Sequence, residues 1–487
     1  MKQDPPSGTQ IARLEQLLGA ARTTTDPASL SAYEIDGMRP GAAVRPADAD
    51  EVAELVRVAA GEKLAVIPCS GRSKLAVGGV PARYDVALDL SALNRVRAYD
   101  PGDLTLSVEP GVRLEDLQRE LGEHGQFLPL EVAFSERATV GGAIATNAYS
   151  PLGAHFGSAR DFVLGMEFVT GLGEIAKSGG RVVKNVTGYD LHKLLIGSLG
   201  TLGVITRVHF RTFPRPAERR VFTAAFGAPS AAHEFCRAVA ASALEPRAIE
   251  MLDPGAAEIS GLAAQFGASV RDWRVVIAAA GSAAVVERHA RDLEHMARGA
   301  QAARFEAWTG ADAAKCLRAI REFVRLALEH APTATILRIA LLPASAAALA
   351  ERIAAIADAH GLDAALAIGA AGSAGTGYIA LWARAERRAE TSLPTGRQAS
   401  AATGASALEA SADERETSLA AAIKELLEAA SSGGAAARGF VEWCPTALKR
   451  RISLWGETRE DFVLMQRVKN IFDPHGVLAP ERYCGGL

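Results

Sequence analysis

A turn rich in glycine and hydroxyl side chains follows the first buried strand pattern of the chain. It occupies residues 68–79 and reads PCSGRSKLAVGG. Ser70, Gly71, Arg72 and Ser73 can present successive backbone N–H groups and hydroxyls, which form a nest suited to a pyrophosphate. The turn matches neither GxGxxG nor GxxxxGK[ST], so it argues against a Rossmann domain and a P-loop NTPase. By itself the pattern is weak, because many such turns bind nothing.

Two further segments carry glycines at spacings that an amphipathic helix does not use. Residues 138–148 read ATVGGAIATNA, and their adjacent glycines and small side chains would let the backbone lie flat against a planar ring. Residues 184–206 read KNVTGYDLHKLLIGSLGTLGVIT and contain four glycines. Taken one at a time, each segment is better explained as a tight packing corner.

Alternating strands and helices are predicted around these segments. Asp48 and Glu51 are typical of a capping box, and apolar residues follow at helical spacing from Val52 to Ala59. Another amphipathic helix is predicted around residues 114–121. Buried or alternating strand patterns occur at residues 64–67, 85–90 and 104–108. The first ~215 residues therefore mix helices and strands with short connections.

The texture of the sequence changes near residue 217. From there to about residue 440, alanine-rich helices such as residues 344–359 lie between strands such as residues 274–278, which indicates a second domain. Within it, residues 391–414 are small, polar and without periodicity, so we expect a mobile surface insertion. Residues 1–38 are predicted to form a helical leader and a loop, and residues 443–487 a compact closing segment.

Composition excludes several classes of protein. The formal net charge of -3 over 487 residues gives no electrostatic reason to bind nucleic acid. The five cysteines are scattered and contain no CxxC pair, so we expect reduced thiols, with neither an iron–sulfur nor a zinc site. No run of about 18 apolar residues is free of charge, and the N-terminus lacks a signal-peptide core, so we expect no transmembrane segment and a cytoplasmic location.

Together and in this order, the three glycine-rich segments resemble the FAD-binding domain of the p-cresol methylhydroxylase (PCMH) and vanillyl-alcohol oxidase superfamily. The resemblance covers residues 39–216. SALEPRAIEMLDP at residues 242–254 and FDPHGVLAPERYCGGL at residues 472–487 resemble the D-lactate and glycolate oxidising branch. Within that branch, GGRVVKNVTGYDLHKLLIGSLGTLGVI and the Trp455–Gly456 pair resemble the E-type, FAD-binding subunit of bacterial glycolate oxidase.

The resemblance implies an α+β fold in three parts. Residues 39–216 would form a two-part FAD-binding PCMH-type domain, residues 217–442 an α+β cap or substrate domain, and residues 443–487 a segment that returns to the FAD domain. A non-covalent flavin is implied, because covalent members attach it through a histidine in the first loop and GRSKL contains none.

The superfamily's cofactor-binding residues can be carried over to matching positions. The first loop would wrap the pyrophosphate, the second would line the pyrophosphate and the flavin edge, and the third would reach the cofactor through backbone groups. The residues so implied are Pro68, Ser70, Gly71, Arg72, Ser73 and Lys74; Thr139, Gly141, Gly142, Thr146 and Asn147; Gly153, Gly157 and Arg160; and Gly203, Val204 and Ile205.

The sequence departs from its relatives in the cap. D-type relatives carry a histidine-rich HxGDGNxH element that is interpreted as a metal site, whereas residues 368–381 here read IGAAGSAGTGYIAL, without histidine or acid. The histidines His289, His295, His330 and His360 are expected to be solvated or to lie at helix ends. We therefore expect no metal. Leu199 also stands where many relatives have Glu, and Glu481 where they have Gly.

Arg338 is the candidate catalytic residue, because it lies where relatives place a basic residue facing the flavin. A guanidinium can hold a carboxylate through two parallel hydrogen bonds. An arginine at a strand edge that faces solvent explains the same pattern equally well. Tyr189 and Asp190 are expected to be structural.

The resemblance implies an FAD-dependent oxidoreductase that takes a hydride from C2 of a small 2-hydroxy acid such as glycolate or D-lactate. It also implies partners, namely a paralogous flavin subunit and an iron–sulfur subunit, which could hold the protein peripherally at the inner membrane. Two alternatives stay open: an accessory FAD electron-relay subunit without a substrate site, and a self-sufficient FAD oxidase of another alcohol.

Overall fold

The computed structural model describes residues 6–181, 188–265, 269, 271–369, 375–384, 401–431, 438–458 and 460–487. Contacts divide the chain into two units, Met1–Arg215 with Glu457–Leu487 and Pro216–Gly456. Both units mix helices and strands. Residues 443–456, which we expected in the closing segment, belong to the second unit.

The first unit opens with short strands and helices. Its helices up to residue 215 are α1 (Gly8–Leu18), α2 (Pro27–Leu30), α3 (Ala49–Gly61), α4 (Leu114–Glu123), α5 (Val140–Ala145), α6 (Gly153–Phe156), α7 (Ala159–Phe162) and α8 (His192–Leu195). Its strands are β1 (Thr23–Thr24), β2 (Ala42–Val44), β3 (Val66–Cys69), β4 (Val86–Asp89), β5 (Val96–Asp100), β6 (Thr105–Val108), β7 (Gln126–Phe127), β8 (Val163–Val169), β9 (Ile175–Gly179), β10 (Val204–Arg211) and β11 (Phe213–Pro214).

Two sheets organise this unit. One has the order β1-β2-β4-β3, in which β4 pairs in parallel with β2 and β3. The other has the order β5-β6-β10-β8-β9 and is antiparallel. Each sheet buries its own apolar cluster. The glycine-rich segments are connections between these elements, so the sheets fix where the segments begin and end.

Helix α3 shows how local sequence determines an element. Its predicted apolar positions, Val52 to Ala59, pack against the first sheet. The Asp48 side chain accepts a hydrogen bond from the Glu51 backbone N–H at 2.9 Å, as an N-cap should. The predicted reciprocal half of the capping box is wrong, because the Glu51 carboxylate accepts from the backbone of Ala47 at 2.7 Å instead.

The second unit is built on one large sheet. Its strands are β12 (Glu218–Phe226), β13 (Ala248–Leu252), β14 (Trp273–Gly281), β15 (Arg304–Trp308), β16 (Thr335–Leu341), β17 (Leu362–Gly369), β18 (Gly375–Ala383) and β19 (Arg438–Trp443). Its helices are α9 (Pro229–Ala241), α10 (Pro254–Ile259), α11 (Leu262–Gln265), α12 (Ala283–Gly299), α13 (Gly310–Arg321), α14 (Phe323–His330), α15 (Ala346–Ala359), α16 (Ala401–Ser431) and α17 (Thr446–Lys449).

The eight described strands pair antiparallel in the order β15-β12-β14-β13-β17-β18-β16-β19. Side chains alternate between the two faces of a strand. One face is apolar and packs against α9, α12, α15 and α16, with Leu337 and Ile339 among its members. The neighbouring position Arg338 therefore points to the opposite face, beside its register partners Tyr378 and Phe440.

The expected mobile insertion at residues 391–414 needs correction in its second half. Residues 391–400 lie outside the described residues, but the chain from Ala401 onward is the first part of α16. Alanine has the highest helix propensity, so a small-residue composition does not exclude a helix. Further along α16, Leu419, Ile423 and Leu426 are buried at helical spacing.

The closing segment of the chain begins with α18 (Phe462–Phe472) and belongs to the first unit. Residues 477–479 then run parallel to β3, which is the edge strand of its sheet. The backbone N–H of Val66 donates to Val477 at 2.8 Å, and that of Ala479 donates to Val66 at 2.9 Å. The tail therefore covers the edge of β3 next to the first glycine-rich loop.

Candidate cofactor-binding site

A cleft in the first unit is lined by residues from all three glycine-rich segments. It spans ≈ 770 Å³, including space open to solvent. Twelve of the predicted cofactor-binding residues line it: Pro68, Ser70, Gly71, Arg72, Ser73, Lys74, Thr139, Gly141, Gly142, Thr146, Gly203 and Ile205. That these residues contact FAD stays a prediction.

Five predicted residues lie outside the lining of this cleft. Asn147 packs against the third segment at Gly197, and Val204 is buried in the apolar core. Gly153 begins α6, and Gly157 ends it with a positive φ of 79°. Arg160 is exposed and donates to the Lys193 carbonyl at 3.0 Å. Contact of these five residues with FAD also stays a prediction.

Sequence reasoning missed several residues that line the cleft. They are Ile67, Cys69, Leu75, Val77, Leu90, Pro110, Ala145, Leu199, Gly200 and Arg482. Most are apolar neighbours of the predicted residues. Arg482 is different, because it comes from the far end of the chain and only the three-dimensional structure brings it here. Leu199, noted above for replacing Glu, presents an apolar side chain at this cleft.

Hydrogen bonds join the three loops into one assembly. The Ser70 and Thr139 hydroxyls lie 2.6 Å apart, which links the first loop to the second. The backbone N–H groups of Gly197 and Leu199 donate to Ile144 and Ala145 at 3.0 and 2.9 Å, which links the third to the second. Movement of one loop would therefore disturb the other two.

Each loop contains a non-glycine residue in the left-handed region. The φ values are 54° for Arg72, 43° for Asn147 and 55° for Leu199. Such conformations cost free energy and concentrate at ligand sites, where the surrounding structure enforces them. The contacts around each loop must therefore enforce its conformation at these positions.

The glycines test whether the cleft fits a flat cofactor. An added Cβ at Gly71 would collide with the Arg137 carbonyl, and one at Gly141 would lie 2.6 Å from Pro110. These two glycines are therefore required by packing. At Gly142 a Cβ would meet only Thr139 Oγ1, at 3.3 Å, and would otherwise extend into open space. Gly142 thus leaves room along the cleft wall, as a bound ring system requires.

Arg72 is held in place by the buried carboxylate of Asp89. Its guanidinium lies 3.2 Å from Asp89 and 4.7 Å above the Tyr33 ring. Tyr33 donates to the same carboxylate at 2.7 Å, and burial together with this bond raises the pKa of Tyr33 to about 12. The phenol stays neutral at neutral pH, so the Tyr33–Asp89 pair is a fixed anchor for the first loop.

Arg338 lies on an inner strand of the second unit, which overturns the interpretation as a solvent-facing strand-edge arginine. It is half-buried, and its guanidinium lies 6.0 Å from the Phe440 ring centroid. Beside it, Tyr378 donates to Glu442 at 2.9 Å, and both side chains are buried. Burial, followed by the charge of Glu442, raises the pKa of Tyr378 well above its ordinary value, while Arg338 opposes the shift.

Glu250 completes this group, which we call the polar cluster: Arg338, Tyr378, Glu442 and Glu250. Glu250 is 3% exposed and adds to the raised pKa of Tyr378. Its side chain lies on the sheet face opposite the one that packs against α9, α12, α15 and α16, because its neighbours Ile249 and Met251 belong to the apolar cluster of that face. Two acids, a phenol and a guanidinium on one buried sheet face exceed what packing alone requires.

The histidines take varied positions. His330 and His360 lie at the ends of α14 and α15, as predicted. His289 is buried, which corrects its prediction as solvated, and its Nδ1 lies 2.8 Å from the Val285 carbonyl. Among the described residues, no three His, Cys, Asp or Glu side chains are grouped to hold a metal. Residues 370–374 of the altered cap segment lie outside the described residues, so the expected absence of metal stays a prediction.

Tyr189 and Asp190 lie in the third segment, whose first residues, 184–187, lie outside the described residues. Tyr189 is 89% exposed, and its carbonyl accepts from the Ser178 hydroxyl. Asp190 pairs with Lys193 at 3.1 Å. These contacts are compatible with the structural role expected for both residues.

Comparisons with known proteins agree with this geometry. The fold resembles p-cresol methylhydroxylase with bound substrate, with a TM-score of 0.75 and 17% identity over 97% of this chain and 96% of that one. It also resembles 4-ethylphenol oxidase from Gulosibacter chungangensis, with a TM-score of 0.74 and 17% identity over 98% of this chain and 97% of that one. The chain therefore has the PCMH-type fold.

Family models match both units. The FAD binding domain model matches residues 40–179, and the model of the C-terminal domain of FAD linked oxidases matches residues 215–427 and 448–483, about half of the chain. The chain belongs to the FAD-linked oxidase family, and FAD is its cofactor. The α+β class and the superfamily predicted above are confirmed.

Curated relatives match part of the chain. D-2-hydroxyglutarate dehydrogenase of Xanthomonas citri pv. viticola is 37% identical over 42% of this chain and 45% of its own length. Glycolate oxidase subunit GlcD of Bacillus subtilis is 30% identical over 44% and 46%, respectively. Glycolate oxidase subunit GlcE of Escherichia coli is 41% identical over 26% and 37%. The matches to the first two thus span just under half of each relative's length.

One further finding concerns membranes. No helix within the described part of the chain combines the length and hydropathy that a bilayer span requires.

Proposed function

We propose that this chain is an FAD-dependent oxidoreductase subunit that oxidises the C2 hydroxyl of a small 2-hydroxy acid. The polar cluster around Arg338 carries the proposal. Relatives named for D-2-hydroxyglutarate, D-lactate and glycolate support the substrate class. FAD is proposed to bind non-covalently in the cleft, with its pyrophosphate against Ser70 to Lys74, since that loop contains no histidine.

Arg338 suits the carboxylate of such a substrate. Its guanidinium can donate two parallel hydrogen bonds to a carboxylate. Phe440 at 6.0 Å and the strand pairs on both sides restrict where the guanidinium can point. Glu250 and Glu442 are buried acids, so Arg338 is the member of the polar cluster that supplies positive charge to an incoming carboxylate. That Arg338 also faces the flavin stays a prediction.

Oxidation of a 2-hydroxy acid also requires a proton acceptor. When bound, FAD supplies the two-electron acceptor, with N5 as the proposed site that takes the C2 hydride. The hydroxyl proton must pass to a base in the same step. Glu442 is the candidate, because it is a buried carboxylate already oriented by the Tyr378 hydroxyl at 2.9 Å. Tyr378 would keep that carboxylate in place, since its own proton is not released at neutral pH.

Anaerobic reduction of the flavin by glycolate, D-lactate and D-2-hydroxyglutarate tests this proposal with the purified chain. Replacing Arg338 by Met removes two charge-assisted hydrogen bonds to the substrate, so the second-order rate constant of reduction should fall about 100-fold or more. Arg338→Lys keeps the charge without the fork and should retain part of the rate. Arg298→Gln is the matched control, because Arg298 is exposed on α12, which packs on the apolar face of the sheet.

The outcome also decides between subunit roles. Loss of flavin reduction by the substrate in R338M, with FAD content unchanged, supports a substrate site on this chain. Equal reduction rates in R338M and wild type would refute the role of Arg338. The segment IGAAGSAGTGYIAL, without histidine or acid, favours an accessory electron-relay subunit as the second candidate. In that case none of the acids would reduce the wild-type flavin, while dithionite would.

The partners remain part of the proposal. A paralogous flavin subunit and an iron–sulfur subunit would pass electrons onward, because the scattered cysteines provide no cluster-binding pattern. Turnover by the isolated chain with an artificial acceptor, equal to that of the complex, would instead favour the self-sufficient oxidase.

A further inference from the structure

Arg482 contacts the first glycine-rich loop, although it is about 400 residues away in sequence. It is 3% exposed and belongs to the same unit as the loop. Its Nη1 donates to the Gly79 carbonyl at 2.9 Å, and its Nη2 donates to the Leu75 and Val77 carbonyls at 2.5 Å each. One planar guanidinium thus binds three carbonyls spread over residues 75–79.

The backbone of the tail reinforces this contact. The Gly79 N–H donates to the Arg482 carbonyl at 3.1 Å, and the Ala82 N–H donates to Pro480 at 3.2 Å. Gly78 and Gly79 are needed here, because a Cβ on either would lie 2.5 Å from a tail carbonyl oxygen. The loop and the tail are therefore packed at backbone distance, with no room for side chains between them.

A second tail residue binds the third glycine-rich segment. The Lys469 ammonium donates to the Thr201 carbonyl at 2.8 Å, to Leu478 at 2.9 Å and to Asp473 at 2.6 Å. Asp473 in turn accepts from the backbone N–H groups of Val477 and Leu478. The tail is therefore held in one conformation while it contacts two of the three loops that line the cleft.

We propose that Arg482 is a positioning residue for the cofactor: it holds the loop at residues 70–79 in the shape that binds the FAD pyrophosphate. The placement of the pyrophosphate rests on the proposed function. Arg482 acts through the carbonyls of Leu75, Val77 and Gly79, which fix the part of the loop that directly follows Ser70 to Lys74. Asp36, 3.8 Å away and equally buried, balances the charge.

The charge on Arg482 does not change near neutral pH. Burial lowers the pKa of its guanidinium to about 10, and Asp36 and Tyr84 oppose the shift. The hydrogen bonds from Arg482 to the three loop carbonyls, which we call the clamp, therefore persist at physiological pH, and only substitution removes them. Lysine cannot replace Arg482 fully, because a single ammonium cannot present two separated donor edges to Gly79 and Leu75.

The test compares Arg482→Ala and Arg482→Lys with wild type, and with Arg467→Ala, an exposed arginine of α18, as the matched control. FAD and ADP dissociation constants are measured by flavin fluorescence and calorimetry. We expect R482A to bind FAD and ADP about tenfold more weakly or worse, R482K to be intermediate, and R467A to match wild type. Riboflavin, which lacks the pyrophosphate, should be affected less than ADP.

Limited trypsin digestion of the apo-protein reports on the loop directly, because Arg72 and Lys74 are cleavage sites within it. R482A should be cut there faster than wild type. Cleavage and FAD affinity equal to wild type would overturn the proposal, and so would an opened loop with unchanged FAD affinity. If R482A does not fold, R482K decides: a folded variant with weakened FAD binding supports the clamp, and wild-type affinity or failure to fold refutes it. Wild-type chain that binds no FAD would instead defeat the proposed function.

Discussion

Replacement of Gly142 by alanine should weaken FAD binding while it changes the stability of the apo-protein little. Gly142 is the third residue after the Thr139 cap of α5, and an added Cβ would lie 3.3 Å from Thr139 Oγ1. Alanine costs less entropy than glycine in a helix, but the close approach to the capping hydroxyl offsets that gain, so the free energy of unfolding of the apo-protein should change by less than about 1 kcal/mol. The same Cβ would extend into the space proposed for the cofactor. Overpacking of about 1–3 kcal/mol there corresponds to about 5- to 150-fold weaker FAD binding.

The assay needs both readings from one preparation. Thermal melting of the apo-protein gives the stability, and titration with FAD gives the dissociation constant. Gly61→Ala is the matched control, because Gly61 also lies in a helix, α3, and its Cβ would meet nothing within 4 Å, yet it is outside the cleft lining. G142A with wild-type FAD affinity would refute the placement of the cofactor along α5. Weaker binding in G61A as well would show that the effect is not specific to the cleft.

Three other predictions concern the release of the flavin, the metal content and the pH dependence of stability. Denaturation should release all flavin into the supernatant, and elemental analysis should find no stoichiometric metal; flavin that precipitates with the chain would contradict the non-covalent assignment. Burial raises the pKa of Asp253 to about 7, against three backbone hydrogen bonds, so its stabilising contribution is present below about pH 4 and is lost as the pH rises through 7. Asp253→Asn keeps an acceptor for the Ala256 and Leu366 N–H groups. Urea unfolding at pH 5 and pH 8 should therefore show the variant gaining about 2–3 kcal/mol on wild type at the higher pH, and a pH-independent difference would show that the pKa of Asp253 is not raised in the folded protein.

Elements with local causes could be predicted from sequence. Helix α3 was recognisable because its cap and its apolar spacing lie within about a dozen residues. The first strand was placed at residues 64–67 but runs from Val66 to Cys69. The strand continues through Pro68, although proline lacks an N–H for a ladder. At an edge strand that N–H is not needed, and the tail pairs with Val66 instead.

Long-range partners could not be predicted in this way. No local pattern relates Arg482 to Leu75, because their contact depends on the return of the tail to the edge of β3. The three glycine-rich segments that line the cleft could be picked out from the sequence, because glycine spacing is itself a local signal. Which glycines face open space, as Gly142 does, and which only permit packing, as Gly71 does, depends on neighbours such as Arg137 from another loop.

The strict alternation of the large sheet has a consequence for engineering. Leu337 and Ile339 support the helices, whereas Arg338 between them contributes only to the opposite face. Substitution of the half-buried Arg338 would therefore change the chemistry of one face and leave the packing of α9, α12, α15 and α16 on the other face intact. The two faces of this strand can in this way diverge independently, one under selection for chemistry and the other under selection for stability.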